Sequence, residues 1–206
     1  MYARSTTFQA KPGSVDEGIS FVRDQVLPTL TGTDGCFGLS MICDRESGRC
    51  ITTSAWSTQD AMDRTEQTVQ PLRQRGAEIF GGQPTVDRWE IAVVHRHAPA
   101  GDGASVRCTW LSVDAEGLDH AIQTYRMTTL PALEAMDGFC SASLMVNRDT
   151  GRVVSSATFA NREAMVGSRQ AADALRTRTA ADISATVTDI NEFELALAHL
   201  HVPEMA

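Results

Sequence analysis

Two rhythms of apolar positions run through the chain, one with the period of a strand and one with the period of a helix. Tyr2 to Gln9 reads as a strand, stopped by the turn Lys11-Pro12-Gly13. Val15, Ile19, Val22, Val26 and Leu30 then recur at helical spacing and predict a helix with these residues on its buried face. Ser14 and Glu17 have the spacing of a capping box at its start. Phe37 to Cys43 and Arg49 to Trp56 predict two strands joined by the polar turn Asp44 to Gly48, a hairpin. Ser57 or Thr58 is placed to cap a second helix, along one side of which lie Ala61, Met62, Thr65, Val69 and Leu72. A last strand runs from Val86 to about His95.

The same succession then starts again. Asp34 to Met62 aligns without a gap on Asp137 to Met165, 103 residues further on, with eight of 29 positions identical. These are Asp34/Asp137, Gly35/Gly138, Ser40/Ser143, Arg45/Arg148, Gly48/Gly151, Arg49/Arg152, Ala61/Ala164 and Met62/Met165. The second copy supplies a first strand from Ser105 to Ser112, a helix carrying Leu118, Ile122, Tyr125, Thr129 and Leu133, and Asn161 as the cap of its second helix. Its last strand runs from Ile190 to His199, after one inserted residue. Pro28 and Pro131 fall at matching places late in the first helix of each copy, where a proline kinks or ends a helix. A fixed period of this kind predicts a repeated unit. The expected fold class is α+β: two ferredoxin-like β-α-β-β-α-β units, 1–97 and 105–206, fused in tandem through a linker at 98–104. A four-stranded sheet with both helices on one face leaves its other face bare, so the two units are expected to cover each other as an intramolecular pseudo-dimer, a dimeric-type α+β barrel. A further homodimer is compatible with this arrangement.

Composition narrows the class of partner. With 42% apolar residues the chain has a core to bury, and its net charge of −8 argues against a nucleic-acid surface. No run of 18 apolar residues exists, and MYARSTTFQAKPG lacks the apolar segment of a signal peptide, so no membrane partner and a cytoplasmic location are expected. Five cysteines, unmatched between the copies, fit reduced thiols. Cys43 and Cys50 flank the first hairpin turn, and Val146 and Val153 replace them in the second copy, so apolar packing accounts for them.

The run Gly-Cys-Phe-Gly-Leu-Ser … Ser-Gly-Arg … Ser-Ala-Trp-Ser-Thr-Gln-Asp-Ala, Gly35 to Ala61, resembles the antibiotic biosynthesis monooxygenase family of the dimeric α+β barrel superfamily. Both halves carry the pattern. The resemblance implies a fused version of what is usually a homodimer, and a monooxygenase that works without a cofactor on a small aromatic or polyketide-like molecule. Superfamily members also include plain ligand binders and haem-degrading enzymes, so a small-ligand-binding protein without turnover is the alternative, and a purely structural assembly protein a third reading. The haem-degrading branch carries an iron-ligating histidine on the second helix; neither 58–76 nor 161–179 contains one, and no cofactor is expected.

Candidate site residues follow from strand parity. Thr52, Ser54 and Trp56 share a face, as do Ser155, Ala157 and Phe159. The resemblance puts Trp56 and Phe159 at the pocket, where an aromatic wall with small hydroxyls suits a flat substrate; core packing is the plain alternative. Arg4 and Arg107 match in the two first strands, followed on the same face by Thr6 and Thr109. A buried guanidinium needs a partner, so one reading pairs them with Glu90 and Glu194. The other has Arg4 stabilise an enolate or phenolate oxygen as charge develops on it. Arg4 and Trp56 are thus the catalytic candidates, and Thr6, Thr52, Ser54, Arg107, Thr109 and Phe159 the substrate-binding ones. Phe159 and Ala157, replacing Trp56 and Ser54, make the second pocket the poorer of the two in orienting groups. The pairs His95/His97 and His199/His201 point the same way along a strand, but no third ligand is evident from the sequence, so no metal site is expected.

Overall fold

A computed structural model describes residues 1–205 of the chain. These form two compact units, Met1–Trp89 with Leu195–Val202, and Glu90–Glu194 with the segment from Pro203 onward.

In the first unit β1 (Tyr2–Gln9) pairs antiparallel with β3 (Arg49–Trp56), Tyr2 opposite Trp56 and Gln9 opposite Arg49. On its other side β3 pairs with β2 (Cys36–Cys43), closing the expected hairpin. α1 (Val15–Phe21), a π-helical turn at Val22–Val26 and α2 (Leu27–Thr31) follow one another without a break. α3 (Gln59–Arg64) and α4 (Glu66–Phe80) replace the single second helix expected, separated at Thr65. Thr58 caps α3 by accepting from the Ala61 N–H. The capping box at Ser14 does not form: the Ser14 hydroxyl donates to the Lys11 carbonyl, holding the turn before the helix. The first five residues of β4 (Thr85–Arg96) belong to this unit, and Trp89 Nε1 donates to Ser5 Oγ at 2.9 Å.

The second unit has the same order of elements. β5 (Ser105–Ser112) pairs with β7 (Arg152–Phe159), and β7 with β6 (Phe139–Asn147). The latter part of β4 pairs with β6, and the first part of β8 (Thr186–Leu200) with β5. α5 (Leu118–Thr124), a π-helical turn at Tyr125–Thr129, α6 (Leu130–Glu134), α7 (Arg162–Gly167) and α8 (Arg169–Asp182) complete it. Asn161 caps α7 by accepting from the Ala164 N–H. The strands succeed one another in hydrogen-bonded order as β1-β3-β2-β8-β5-β7-β6-β4, the connectivity of a closed barrel. The units meet in sequence inside β4 and β8, because the backbone pairing of β4 continues through Arg96 before the residues 98–104 are reached.

Several identities of the aligned stretches have direct packing reasons. Gly48 and Gly151 adopt φ of +78° and +67°, and a Cβ there would collide with the carbonyl oxygens of Ala10 and Val113. A Cβ on Gly35 or Gly138 would sit 2.8 and 2.6 Å from the methyl groups of Ala61 and Ala164, so both members of each pair must stay small. The helix prolines share one explanation too. The Leu27 N–H bonds back to Val22 O and that of Leu130 to Tyr125 O, five residues earlier, so Pro28 and Pro131 fall at the start of a fresh α segment. A missing donor costs little there. Each unit has its own core. Phe8 stacks on Phe80 at 4.5 Å among Leu39, Met41 and Trp56; Phe159, Phe139, Leu118 and Met165 do the same work in the second unit. Burying a side chain of this size contributes roughly 1.5–3 kcal/mol.

Candidate functional site

In each unit a cavity lies between the sheet and the helices. That of the first unit measures about 60 Å³ and takes Arg4 and Thr6 from β1, Thr52 and Ser54 from β3, Val22 and Val26 from the π turn, and Leu72 and Arg73 from α4. That of the second measures about 80 Å³, with Arg107, Thr109, Ser155, Tyr125 and Thr129 at the corresponding places and Arg176 and Thr179 from α8. The π turns therefore line both cavities. Neither lining includes an Asp, a Glu or a His.

Arg4 is 3% exposed. Its Nη1 donates to Thr65 Oγ1 at 3.1 Å, its Nη2 to Met62 O at 2.6 Å, and Glu66 Oε2 lies 3.2 Å from Nη2. The break between α3 and α4 at Thr65 is what turns that carbonyl and hydroxyl toward the strand. Burial lowers the guanidinium pKa below the usual arginine value, against the raising pull of Glu66. Two polar atoms of this cavity's lining residues, Arg4 Nε and Thr52 Oγ1, are buried and have no hydrogen-bond partner among the described residues.

The second unit saturates its equivalents. Arg107 donates to Ser168 Oγ at 2.9 Å and Met165 O at 2.5 Å, and its Nε and Nη2 both reach Glu192 Oε1, at 3.1 and 2.9 Å. The Ser155 hydroxyl donates to Tyr125 Oη at 3.2 Å, and Tyr125 donates on to Ser143 O at 3.4 Å. Burial pushes the Tyr125 phenol up to about 12, the bond from Ser155 opposing the shift, so it stays neutral and a donor.

The structure thus gathers Arg4, Thr6, Thr52 and Ser54 around one cavity and Arg107 and Thr109 around the other. Trp56 and Phe159 line neither. Trp56 is fully buried and spends its Nε1–H on Ser54 Oγ at 3.0 Å, while Phe159 lies 5.6 Å from the Arg107 guanidinium and edge-on to Phe139. Glu66 lies against Arg4 and Glu192 against Arg107, in the roles expected of Glu90 and Glu194, while Glu90 holds Arg148 at 2.6 Å. Reasoning from strand faces missed Tyr125, Thr129 and Thr179. The available signal was that Tyr125 and Thr129 stand where the first copy has Val22 and Val26 on the buried helix face. The second cavity is consequently the larger and the richer in hydroxyls, contrary to expectation, but the first is the one with polar atoms left unpaired.

No family model matches the sequence. Two proteins of Mycobacterium tuberculosis H37Rv, both described as uncharacterized, are similar throughout: Rv2557, 51% identical over all of this chain and 92% of its own length, and Rv2558, 50% identical over all of this chain and 87% of its own. Among solved structures, a putative monooxygenase of Fusobacterium nucleatum superposes with a TM-score of 0.68 at 12% identity, over 98% of this chain and 93% of its own. An anthrone oxidase-like protein gives 0.66 at 13% identity, over 94% and 90%. A ferredoxin-fold protein of Listeria monocytogenes related to antibiotic biosynthesis monooxygenases gives 0.56 at 8%, over 95% and 94%. These likenesses establish the fold: it is the ferredoxin-like α+β barrel type of such proteins.

Proposed function

The chain belongs to the family of the Mycobacterium tuberculosis proteins Rv2557 and Rv2558, and from that premise we propose that it takes a small planar anion, the phenolate or enolate of an aromatic or polyketide-like molecule, into the first-unit cavity and oxygenates it without a cofactor. One observation carries the reading: Arg4 Nε and Thr52 Oγ1, buried and unpaired, belong to residues that line the same cavity. An unsatisfied buried polar group costs about 1–3 kcal/mol. A ligand oxygen bound between them removes both penalties.

The lining also sets the substrate's acidity. It offers cations, Arg4 and Arg73, but no carboxylate or imidazole to act as base. The substrate must therefore ionise readily, and Arg4 holds the resulting oxyanion in a site of low dielectric. The bound anion is itself the reductant. One electron passes to O₂, the two radicals join in a C–O bond, and the peroxide, where its carbon carries a second hydrogen, loses water to leave a carbonyl. The sum, R₂CH₂ + O₂ → R₂C=O + H₂O, needs no outside electron donor. An engineered cavity of about 150 Å³ accepts benzene, so a ring requires the half-buried rim of Val26, Leu72 and Arg73 to give way. The anthrone oxidase-like neighbour supports a substrate of this class.

The same absence of a base favours a second reading, ligand binding without turnover. A thermal-shift screen of phenols and enols, each followed by oxygen uptake and mass spectrometry with isotope-labelled O₂, separates the two. Stabilisation with incorporation of labelled oxygen supports the oxygenase, stabilisation alone supports the binder, and failure of every planar anion to stabilise the protein refutes both. We read the two units as fused copies of one unit whose association makes the intramolecular pseudo-dimer. We place the chain in the cytoplasm, where its five free thiols stay reduced. Among the described residues no helix is long and apolar enough to cross a membrane.

A further inference from the structure

His95 and His97, two residues apart where β4 ends, carry their rings 6.4 and 6.3 Å from that of Phe139, centre to centre. Glu134, the last residue of α6, reaches both. Its Oε1 lies 2.9 Å from His97 Nδ1 and its Oε2 lies 3.5 Å from His95 Nε2. One ligating atom from each of the three residues fits within 4.8 Å of the others. On the far side of the His95 ring, Glu204 Oε1 is 2.9 Å from Nδ1. It is carried there by the segment that bridges to β4 through reciprocal hydrogen bonds between Val94 and Met205.

Two features distinguish this group from a surface ion pair. Both ring nitrogens of His95 are shut off from solvent, yet neither makes a hydrogen bond of ordinary geometry to any described residue; Glu204 and Glu134 approach them at unsuitable angle or distance. The spacing also suits a cation. Ligand atoms about 2.0–2.1 Å from a tetrahedral zinc ion stand about 3.4 Å apart, which the 3.5 Å between His95 Nε2 and Glu134 Oε2 matches. We propose that His95, His97 and Glu134 bind a divalent first-row transition ion, zinc being the probe of choice, with the Glu204 carboxylate, 2.9 Å from Nδ1 of His95, reorienting to accept that proton when the ion binds.

The chemistry balances. Two neutral imidazoles and one carboxylate leave a dipositive ion with a single residual charge, which Glu204 neutralises. A carboxylate behind a ligating imidazole fixes its tautomer and raises its basicity. Three protein ligands also leave zinc an open coordination position for water or a small anion. The first unit provides an internal control. His199 and His201 correspond to His95 and His97, and their rings lie 4.7 Å apart, but Thr31 stands at the position of Glu134 and supplies no carboxylate. The site is independent of the cavity and of the oxygenase reading.

The test is zinc titration of the full chain, freed of any affinity tag and stripped with a chelator, by calorimetry and by cobalt(II) absorption. One equivalent of saturable binding is expected. His97→Ala and Glu134→Gln, both partly exposed positions, should each weaken it at least tenfold. Glu204→Gln should weaken it by 10–100-fold, the usual range for such partners. His199→Ala/His201→Ala should leave it unchanged. Absence of saturable binding, binding that survives both His97→Ala and Glu134→Gln, or binding abolished by His199→Ala/His201→Ala would overturn the proposal. Circular dichroism of each variant guards against loss through unfolding, and His97→Ala and Glu134→Gln decide the matter even if His95→Ala fails to fold.

Discussion

Glu66 and Glu192 hold the strand arginines of their units from opposite elements. Glu66, at the start of α4, lies 3.2 Å from Arg4; Glu192, on β8, lies 2.9 Å from Arg107. The position of Glu66 is occupied in the second unit by Arg169, and that of Glu192 in the first by Arg88. Both of those arginines also contact the carboxylate: Arg88 at 3.9 Å from Glu66, Arg169 at 2.5 Å from Glu192. Helix and strand have exchanged charges, and in both units a carboxylate remains next to a buried guanidinium. A one-sided exchange would take from Arg4 or Arg107 the carboxylate it touches and put a second guanidinium in its place, which is costly in low dielectric.

Glu192→Gln should therefore destabilise more than Glu66→Gln. Glu66 also touches Arg73 and Arg88, but Glu192 is the less exposed, 17% against 40%, and is the carboxylate held both by buried Arg107 and by Arg169. Breaking a buried pair costs about 3–5 kcal/mol, and partial exposure reduces this to about 2 kcal/mol for Glu192 and about 1 kcal/mol or less for Glu66. Both carboxyls sit below their usual value, Glu66 chiefly through its bond from Arg73 and Glu192 chiefly through that from Arg169. Their contribution is present above the unfolded value, near 4.5, and is lost as pH falls through the folded one. Urea melts between pH 3 and 7 should show the acid-side loss shrinking in each variant; an unchanged acid limb in both would contradict the assignment.

The chain's apolar rhythm predicted the elements closely because each strand and helix buries one face, and the aligned glycines marked the turns and close approaches that tolerate no side chain. The unit boundary was less legible. Composition marks 98–104 as a linker, but the first unit ends at Trp89, inside β4 and ahead of that stretch, and 195–202 returns to the first unit. Parity placed Trp56 with Thr52 and Ser54, yet at the end of β3 its ring is buried in the core and its N–H turns onto Ser54. Tyr125 was counted as an apolar helix position, which hid its hydroxyl. Glu134 as partner of His97, 37 residues away, is a tertiary contact that no local pattern encodes.

A chain cut to residues 1–98 lacks 195–202, and the edge of β2 loses its neighbour, as shown by the bond from His201 N to Phe37 O at 2.8 Å. An open strand edge recruits other chains. Size-exclusion chromatography should find the fragment aggregated or oligomeric; a stable monomer would contradict this.

Trp56→Phe should cost stability, not ligand. The change removes a buried hydrogen bond to Ser54 and part of a ring, worth about 1–2 kcal/mol together. Because Trp56 does not line the cavity, the affinity for any phenolate found by thermal shift should stay within about twofold. A tenfold loss of affinity in a folded variant would return Trp56 to the site.

Arg4→Lys keeps the charge but removes the Nε–H and the planar fork. If the unpaired Nε is the ligand's anchor, the variant should lose phenolate affinity about tenfold, while Arg107→Lys, whose Nε is already bound to Glu192, should have much less effect. Calorimetry on both variants decides. Equal losses, or a larger loss in Arg107→Lys, would move the site to the second unit.

Tyr125 gives a prediction on the alkaline side. Its phenol is pushed to about 12 from 10 by burial, so the folded chain keeps the proton over a range where the unfolded chain releases it. The stability associated with Tyr125 is then fully present below pH 10 and declines as pH rises toward 12. Tyr125→Phe removes the titration along with the bonds to Ser155 and Ser143, a loss of about 0.5–1.5 kcal/mol at neutral pH. The wild-type and variant curves should therefore converge as pH rises from 9 to 11.5, the variant falling less steeply. Urea melts across that range, with the tyrosinate absorbance followed in parallel, test both halves of the argument. Parallel curves, or a tyrosinate titrating at the ordinary value in the folded chain, would mean that the hydroxyl is reached by water and that the second cavity is open at Tyr125.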